Sequence, residues 1–287
     1  MNRHSNIYVL KADGRQEQFA EWKVKRTCKM MGASEHDAKL IAEKIRKMVY
    51  NGIKTDEILN LTLRLLESRL PFVKYVIDLR KAISLIKPKP DFEIYVRAIL
   101  EKQGYKVYPS QVIRGLCVDH EVDGIAVKDN STSLIEIKHH KEYHTLTGLD
   151  VPRIAWAVLE DIKEGYNSGL NNVNPDSVII ICNTKYSEHA KRYCRCKGMR
   201  YIGWSSPKEF DLQTMIIKNR LYPITYLRTL SAAERESFST ANIVLLKQLL
   251  TRDVKSLSDK VGINVERLEE LIGQAKAVLN INSESES

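Results

Sequence analysis

Val122-Asp123-Gly124-Ile125-Ala126-Val127, a turn at Lys128-Asp129-Asn130-Ser131, and then Ser133-Leu134-Ile135-Glu136-Ile137-Lys138 decide how the middle of this chain reads. Side chains alternate between the faces of a strand, so Glu136 and Lys138 share one face and Ile135 and Ile137 the other. Two opposite charges replace apolar residues on a strand that otherwise reads as buried, and sequence rules break in this way at functional sites. Two carboxylates and a lysine on neighbouring strands can hold a divalent cation and activate a water for phosphodiester cleavage. The plainer reading of Glu-x-Lys is an exposed charge pair on an edge strand. Asp123, thirteen residues before Glu136 and across a hairpin, favours a site.

Working outward, Phe92, Tyr95, Val96, Ile99 and Leu100 recur at helical spacing. Strands are expected over 106–113, 119–128 and 132–140, a helix over 150–165, a buried strand at Val178–Cys182, a helix over 187–197 and a short strand at Arg200–Trp204. The pattern predicts a mixed sheet with helices on both faces over about 88–225. Upstream, Ile7–Lys11 reads as a strand and Asp13-Gly14 as a turn. Helices are expected over 21–32, 35–49, 55–69 and 73–86, with Ser34 and Thr55 as N-caps. Lys87-Pro88-Lys89-Pro90 reads as a linker. Downstream of 226 the chain reads as all helical, with helices at Ala241–Leu250, from Ser256, and at Val265–Leu279. The tail 282–287 has a disordered composition. The expected domains are therefore 1–87, 88–225 and 226–287, a multi-domain α/β protein.

The net charge of +9 suits a polyanionic partner, or simply a basic surface. The five cysteines are scattered and odd in number, which argues against a disulfide framework. His189, Cys194 and Cys196 lack the paired Cys-x-x-Cys spacing of a zinc site. No apolar run approaches a membrane span, and residues 1–4 show no signal region. A soluble, cytoplasmic protein is expected.

The middle segment resembles the PD-(D/E)xK nucleases of the restriction-endonuclease-like branch, through the helix from Phe92-Glu93, Val122-Asp123-Gly124, Glu136-Ile137-Lys138 and the strand pair ending at Gly203-Trp204. The resemblance implies that Asp123 and Glu136 ligate Mg²⁺ or Mn²⁺, with the Ile137 carbonyl as a third ligand. Glu93 would complete the acidic cluster, and Lys138 would orient or activate the attacking water and stabilise developing charge. The residue before Asp123 is Val122 rather than proline. His139, His140 and His144 read as surface histidines or as phosphate contacts. Lys185, Lys191, Arg192, Arg195 and Lys197 read as a DNA-tracking run or as a solvated helix face.

Val9-Leu10-Lys11-Ala12-Asp13-Gly14-Arg15, with Glu17, Phe19 and Lys23-Val24, resembles an ATP-cone, an α+β regulatory domain that binds ATP or dATP without a P-loop. The resemblance implies that Val9, Lys11, Glu17 and Lys23 line the nucleotide site, with Lys11 and Lys23 on the phosphates and Arg15 assisting. Ala12 stands where a second basic residue is usual. The stretch from Leu257 to Leu268 looks like half of a helix-hairpin-helix pair, whose helix N-termini would meet DNA phosphate. The other half, Thr251-Arg252-Asp253-Val254, is degenerate. The expected protein is a metal-dependent deoxyribonuclease acting on DNA, regulated by adenine nucleotide, and open to homo-oligomerisation. The alternative is a non-catalytic nucleotide-sensing DNA-binding protein with a vestigial nuclease core.

Overall fold

The computed structural model describes residues 7–280 apart from Asp13, Glu209 and Arg252. Residues 1–4, Asp13 of the expected turn, Arg252 of the degenerate hairpin and the tail 282–287 therefore lie outside the described residues. The chain forms two compact units. The first holds residues up to Ile77, Leu227–Thr229 and the residues from Glu269 onward; the second holds Asp78–Tyr226 and Leu230–Leu268.

In the first unit, Tyr8–Leu10 (β1) and Gln16–Gln18 (β2) form an antiparallel hairpin with Val9 opposite Glu17. Lys11 N–H donates to the Arg15 carbonyl at 2.8 Å, and Gly14 N–H to that of Lys11 at 3.0 Å. Gly14 has φ +80°, a conformation that glycine adopts without strain. Helices α1 (Glu21–Met30) and α2 (Glu35–Met48) follow. Ile53–Lys54 (β3) then adds parallel to β1; two residues are too few to show a period, so this strand carries no signal of its own. Ser34 caps α2 by accepting the Asp37 N–H at 3.0 Å. Ala38, Ile41, Ala42 and Ile45 are the buried stripe of α2. Thr55, expected as an N-cap, is instead the first residue of α3 (Thr55–Glu67); Lys54 holds the cap position without a side-chain bond. The helix expected over 73–86 is interrupted. Pro71–Tyr75 is a 3-10 segment, Val76 is extended and pairs with Leu227, and α4 (Leu79–Ser84) restarts where Asp78 accepts the Lys81 N–H.

The second unit continues with α5 (Glu93–Lys102), β4 (Lys106–Tyr108), β5 (Gln111–Arg114), β6 (Asp119–Val122), β7 (Gly124–Lys128), β8 (Ser131–Lys138) and β9 (Leu146–Thr147). Then come α6 (Asp150–Asn167), β10 (Ser177–Cys182), β11 (Lys185–Tyr186), α7 (Glu188–Cys196), β12 (Arg200–Ile202) and α8 (Leu212–Lys218). The main sheet has the order β12-β10-β8-β7-β4. Strands β4, β7 and β8 pair antiparallel, while β8, β10 and β12 run parallel, joined by connections that carry α6 and α7. The expected strands 106–113 and 119–128 each split in two. Their outward parts, β5 and β6, pair with one another, and the break in the second falls at Asp123.

Leu134, Val178, Ile180 and Cys182 pack with Ala155, Leu159 and Ile162 of α6 and Ala190 and Cys194 of α7. Ile135, Ile179 and Ile181 are buried on the opposite face of their strands. Phe92, Tyr95, Val96, Ile99 and Leu100 are all buried, and each contributes about 1.5–3 kcal/mol by leaving water. The Lys87–Pro90 segment is no free linker: Phe92 N–H donates to the Lys87 carbonyl, and the turn feeds α5 inside this unit.

Further helices are α9 (Ala232–Thr240), α10 (Lys247–Leu250), α11 (Val254–Val261) and α12 (Val265–Asn280), the last contributing residues to both units. The helix expected at Ala241–Leu250 is not continuous. Asn242 has φ +56°, Leu245 pairs with Pro223, and Gln248 accepts the Val244 and Leu245 N–H groups through its Oε1. Among the described residues, no helix is long and apolar enough to cross a membrane.

Candidate active site

Asp123 sits at the bend between β6 and β7, where the chain passes from the side hairpin into the main sheet. Its Oδ2 accepts the Ile137 N–H at 2.7 Å. A side chain here makes the contact that a straight strand would make with its backbone. This fixes the aspartate beside Glu136 and Lys138 on β8. Gly124 follows because a Cβ there would lie 2.8 Å from the Tyr108 carbonyl oxygen.

Glu136 shares the face of Leu134 and is largely out of water, while Lys138 at the strand end is half exposed. The two pair at 2.7 Å. Burial pushes the Glu136 carboxyl above its ordinary range, the Lys138 ammonium pulls it back, and the charge of Asp123 adds to the rise. Lys138 is raised in turn, chiefly by its bond to Glu136.

Glu93, the first residue of α5, joins this group through Lys89, in the segment expected to be a linker. Lys89 Nζ lies 3.2 Å from Glu93 Oε1, 3.2 Å from Glu121 Oε1 and 3.4 Å from Asp123 Oδ1. The bond to Glu121, with Glu93 and Asp123 behind it, raises the Lys89 ammonium above its ordinary range. Glu93 Oε1 is out of solvent and has the Lys89 ammonium as its ion-pair partner. Among the described residues, no group of three or more His, Cys, Asp or Glu side chains is arranged to hold a metal ion. The carboxylates of Glu93, Glu121 and Asp123 converge instead on the Lys89 ammonium, and carboxylate oxygen is the donor type that a hard cation takes.

Of the three histidines that follow Lys138, His139 and His140 are part-buried. His139 packs edge-on against Phe92 at 4.8 Å and its Nε2 meets the Ile83 carbonyl at 3.1 Å. His140 Nε2 meets Thr147 Oγ1 at 3.2 Å, and its backbone is clasped by Asn183 through bonds of 2.8 and 2.7 Å. Burial lowers the pKa of both rings. His144 is exposed and lies against Tyr143. Of the basic run, Lys185 lies on β11, Lys191, Arg192 and Arg195 on α7, and Lys197 just beyond it. Lys191 pairs with Glu188, Arg195 with the Tyr201 hydroxyl, and Lys197 lies over Trp156. Because β10 ends beside Lys138 and β12 begins opposite Ile179, the end of α7 that carries Arg195 lies towards the other end of the sheet from the carboxylates.

In the first unit, Glu17 on β2 pairs with Lys11 at 2.5 Å and with Lys23 on α1. These lysines, Lys11 first, lower the Glu17 carboxyl to about 2. Val9 is buried opposite Glu17, and Arg15 lies at the hairpin turn. Trp22 was not singled out by sequence: it is 59% exposed, and Lys23 Nζ lies 5.7 Å from its ring centre. In the C-terminal stretch, α11 ends at Gly262 in the left-handed conformation, and Asn264 Oδ1 accepts the Arg267 N–H at 2.8 Å to start α12.

Residues 87–202 match a restriction endonuclease family. This match covers the entry to α5, Asp123 and the Glu-x-Lys strand together, so the second unit carries a restriction-endonuclease-like domain. Residues 222–279 match the AF1548-like C-terminal family. An uncharacterized protein of Archaeoglobus fulgidus is 29% identical over 182 residues, 63% of this chain and 98% of that protein. A crystal structure described as a protein of unknown function, AF1548, is 28% identical with a TM-score of 0.55, covering 66% of this chain and 97% of the other. Both relatives are covered almost end to end, while roughly a third of this chain falls outside each match.

Proposed function

We propose that the protein is a metal-dependent deoxyribonuclease. One observation carries the reading: the Asp123 carboxylate is fixed on the Ile137 N–H, between Glu136 and Lys138. Asp123, Glu136 and the Ile137 carbonyl would hold Mg²⁺ or Mn²⁺, with Glu93 completing the acidic surround. The ion would polarise the phosphate and lower the pKa of a bound water. Lys138, at the solvent end of its strand, would orient that water and offset the charge that grows on the phosphate. Glu136 pairs with the Lys138 ammonium at 2.7 Å, which would keep it beside the proposed metal ligands. The N-terminal unit is proposed as an ATP-cone that takes ATP or dATP. Lys11 and Lys23 would receive the phosphates, Val9, Arg15 and Glu17 would line the site, and Trp22 offers the base a stacking face. Nucleotide would alter cleavage or assembly only by binding two states unequally. The helical C-terminus is proposed to add non-specific contacts to DNA phosphate.

Cleavage of labelled single-stranded, duplex and branched DNA with Mg²⁺ or Mn²⁺, by wild type and Asp123→Ala, tests the reading. Cleavage by wild type alone supports it. Binding of DNA without cleavage of any form would favour a non-catalytic nucleotide-sensing DNA-binding protein. That second reading has its own observation, since Lys89 already supplies a cation to the cluster.

A further inference from the structure

Lys89 makes three carboxylate contacts between 3.2 and 3.4 Å, reaching groups on three separate segments: Glu93 on α5, Glu121 on β6, and Asp123 at the bend. Its own backbone is extended rather than helical within the Pro88–Phe92 segment, φ −130° and ψ 138°. Without the lysine, three carboxylates would repel one another at the point where the chain leaves the hairpin for the main sheet. The lysine is also 59% exposed, so its ammonium can withdraw into water without passing through the core. An ammonium brings one charge and no open coordination position; a divalent ion brings two charges and accepts several oxygens. The same oxygens cannot serve both closely. Glu93 Oε1 is held out of solvent with the Lys89 ammonium 3.2 Å away.

We infer that Lys89 is a built-in counter-cation, which holds Glu93, Glu121 and Asp123 together in the metal-free protein and gives up its place on Asp123 and Glu93 when a divalent ion binds. The inference rests on the metal-dependent reading above. It makes Lys89 a positioning residue that sets metal affinity, and it casts the side hairpin as part of the metal response through Glu121.

The test is Mn²⁺ affinity, read from the electron paramagnetic resonance signal of free Mn²⁺, together with melting temperature with and without saturating Mn²⁺. Four proteins are compared: wild type, Lys89→Met, Lys87→Met and Asp123→Asn. Lys87 pairs with Glu236 at 2.5 Å, so its loss removes the same charge two residues from Lys89 without opening the cluster. Lys89→Met is expected to bind Mn²⁺ about three- to tenfold more tightly than wild type. It should melt lower when metal-free and close that gap when Mn²⁺ saturates it, because the loaded site no longer uses the lysine. Lys87→Met should do neither. The inference is overturned if Lys89→Met binds no more tightly, if Lys87→Met tightens binding equally, or if the melting deficit persists unchanged at saturation. If wild type binds no Mn²⁺ that Asp123→Asn removes, the metal-dependent reading fails and this inference fails with it. If Asp123-dependent binding is present but unaffected at Lys89, only this inference is lost.

Discussion

Two clusters in this molecule use the same side chains in opposite proportion. On the β8 side, Glu93, Glu121, Asp123 and Glu136 face two lysines, Lys89 and Lys138. In the N-terminal hairpin, one carboxylate, Glu17, faces two lysines, Lys11 and Lys23. Each cluster has internal ion pairs, and in each the surplus sign remains. Excess carboxylate seeks a cation and excess ammonium seeks an anion. The backbones differ: Glu136 and Lys138 lie at the end of β8 and Glu93 opens α5 upstream of the side hairpin, whereas Lys23 lies in the first turn of α1, which follows Glu17. What suits one cluster to a cation and the other to phosphate is the charge balance.

The largest break in this comparison should come from Lys138→Ala. It is expected to lower DNA cleavage by about 10²–10³-fold while leaving Mn²⁺ affinity within a few-fold, because the ammonium offsets charge on the phosphate and is not a ligand. Single-turnover cleavage alongside a Mn²⁺ titration checks this. Next, Gly124→Ala should destabilise the second unit by about 1–3 kcal/mol, since its Cβ would meet the backbone oxygen of Tyr108 at 2.8 Å. Chemical denaturation measures the loss, and an unchanged midpoint would mean that the Asp123 bend is looser than described. On the other cluster, Lys11→Ala should weaken ATP binding about tenfold and leave metal-dependent cleavage without nucleotide intact. Isothermal titration reads the first part and the cleavage assay the second.

The smallest effect expected is at Glu234, whose pairing with Arg267 at 2.7 Å lowers its carboxyl from 4.5 to about 2. A carboxyl held down in the folded state stabilises the fold above its ordinary pKa, and that stability is lost as pH falls through the folded value. Glu234→Gln should therefore cost about 1 kcal/mol near pH 7 and flatten the loss of stability between about pH 4.5 and 2. Melting curves across that range decide it.

Much of the site was legible because alternation is a strict rule. Placing Glu136 and Lys138 on one face needs only the two-residue period of a strand. Asp123 followed from a turn and a hairpin spacing. Lys89 was not legible, since prolines on both sides read as a linker and nothing local shows that the chain doubles back onto β6. Glu121 was lost in the same way, because the expected strand 119–128 ran on through a break that the Asp123 side chain makes by tertiary contact. In the fold, long apolar stripes such as those of α2 and α5 were plain. The short β3 and the interruption at Val76 depend on partners distant in sequence, Val9 and Leu227, and carry no periodic signal of their own.

The most direct test of the two-cluster account is DNA cleavage with Mg²⁺ by wild type and Asp123→Ala, with ATP binding measured on the same two proteins. Asp123→Ala is expected to abolish cleavage and to bind ATP as wild type does. Cleavage that survives the substitution, or a wild-type protein that cuts no form of DNA, would contradict it.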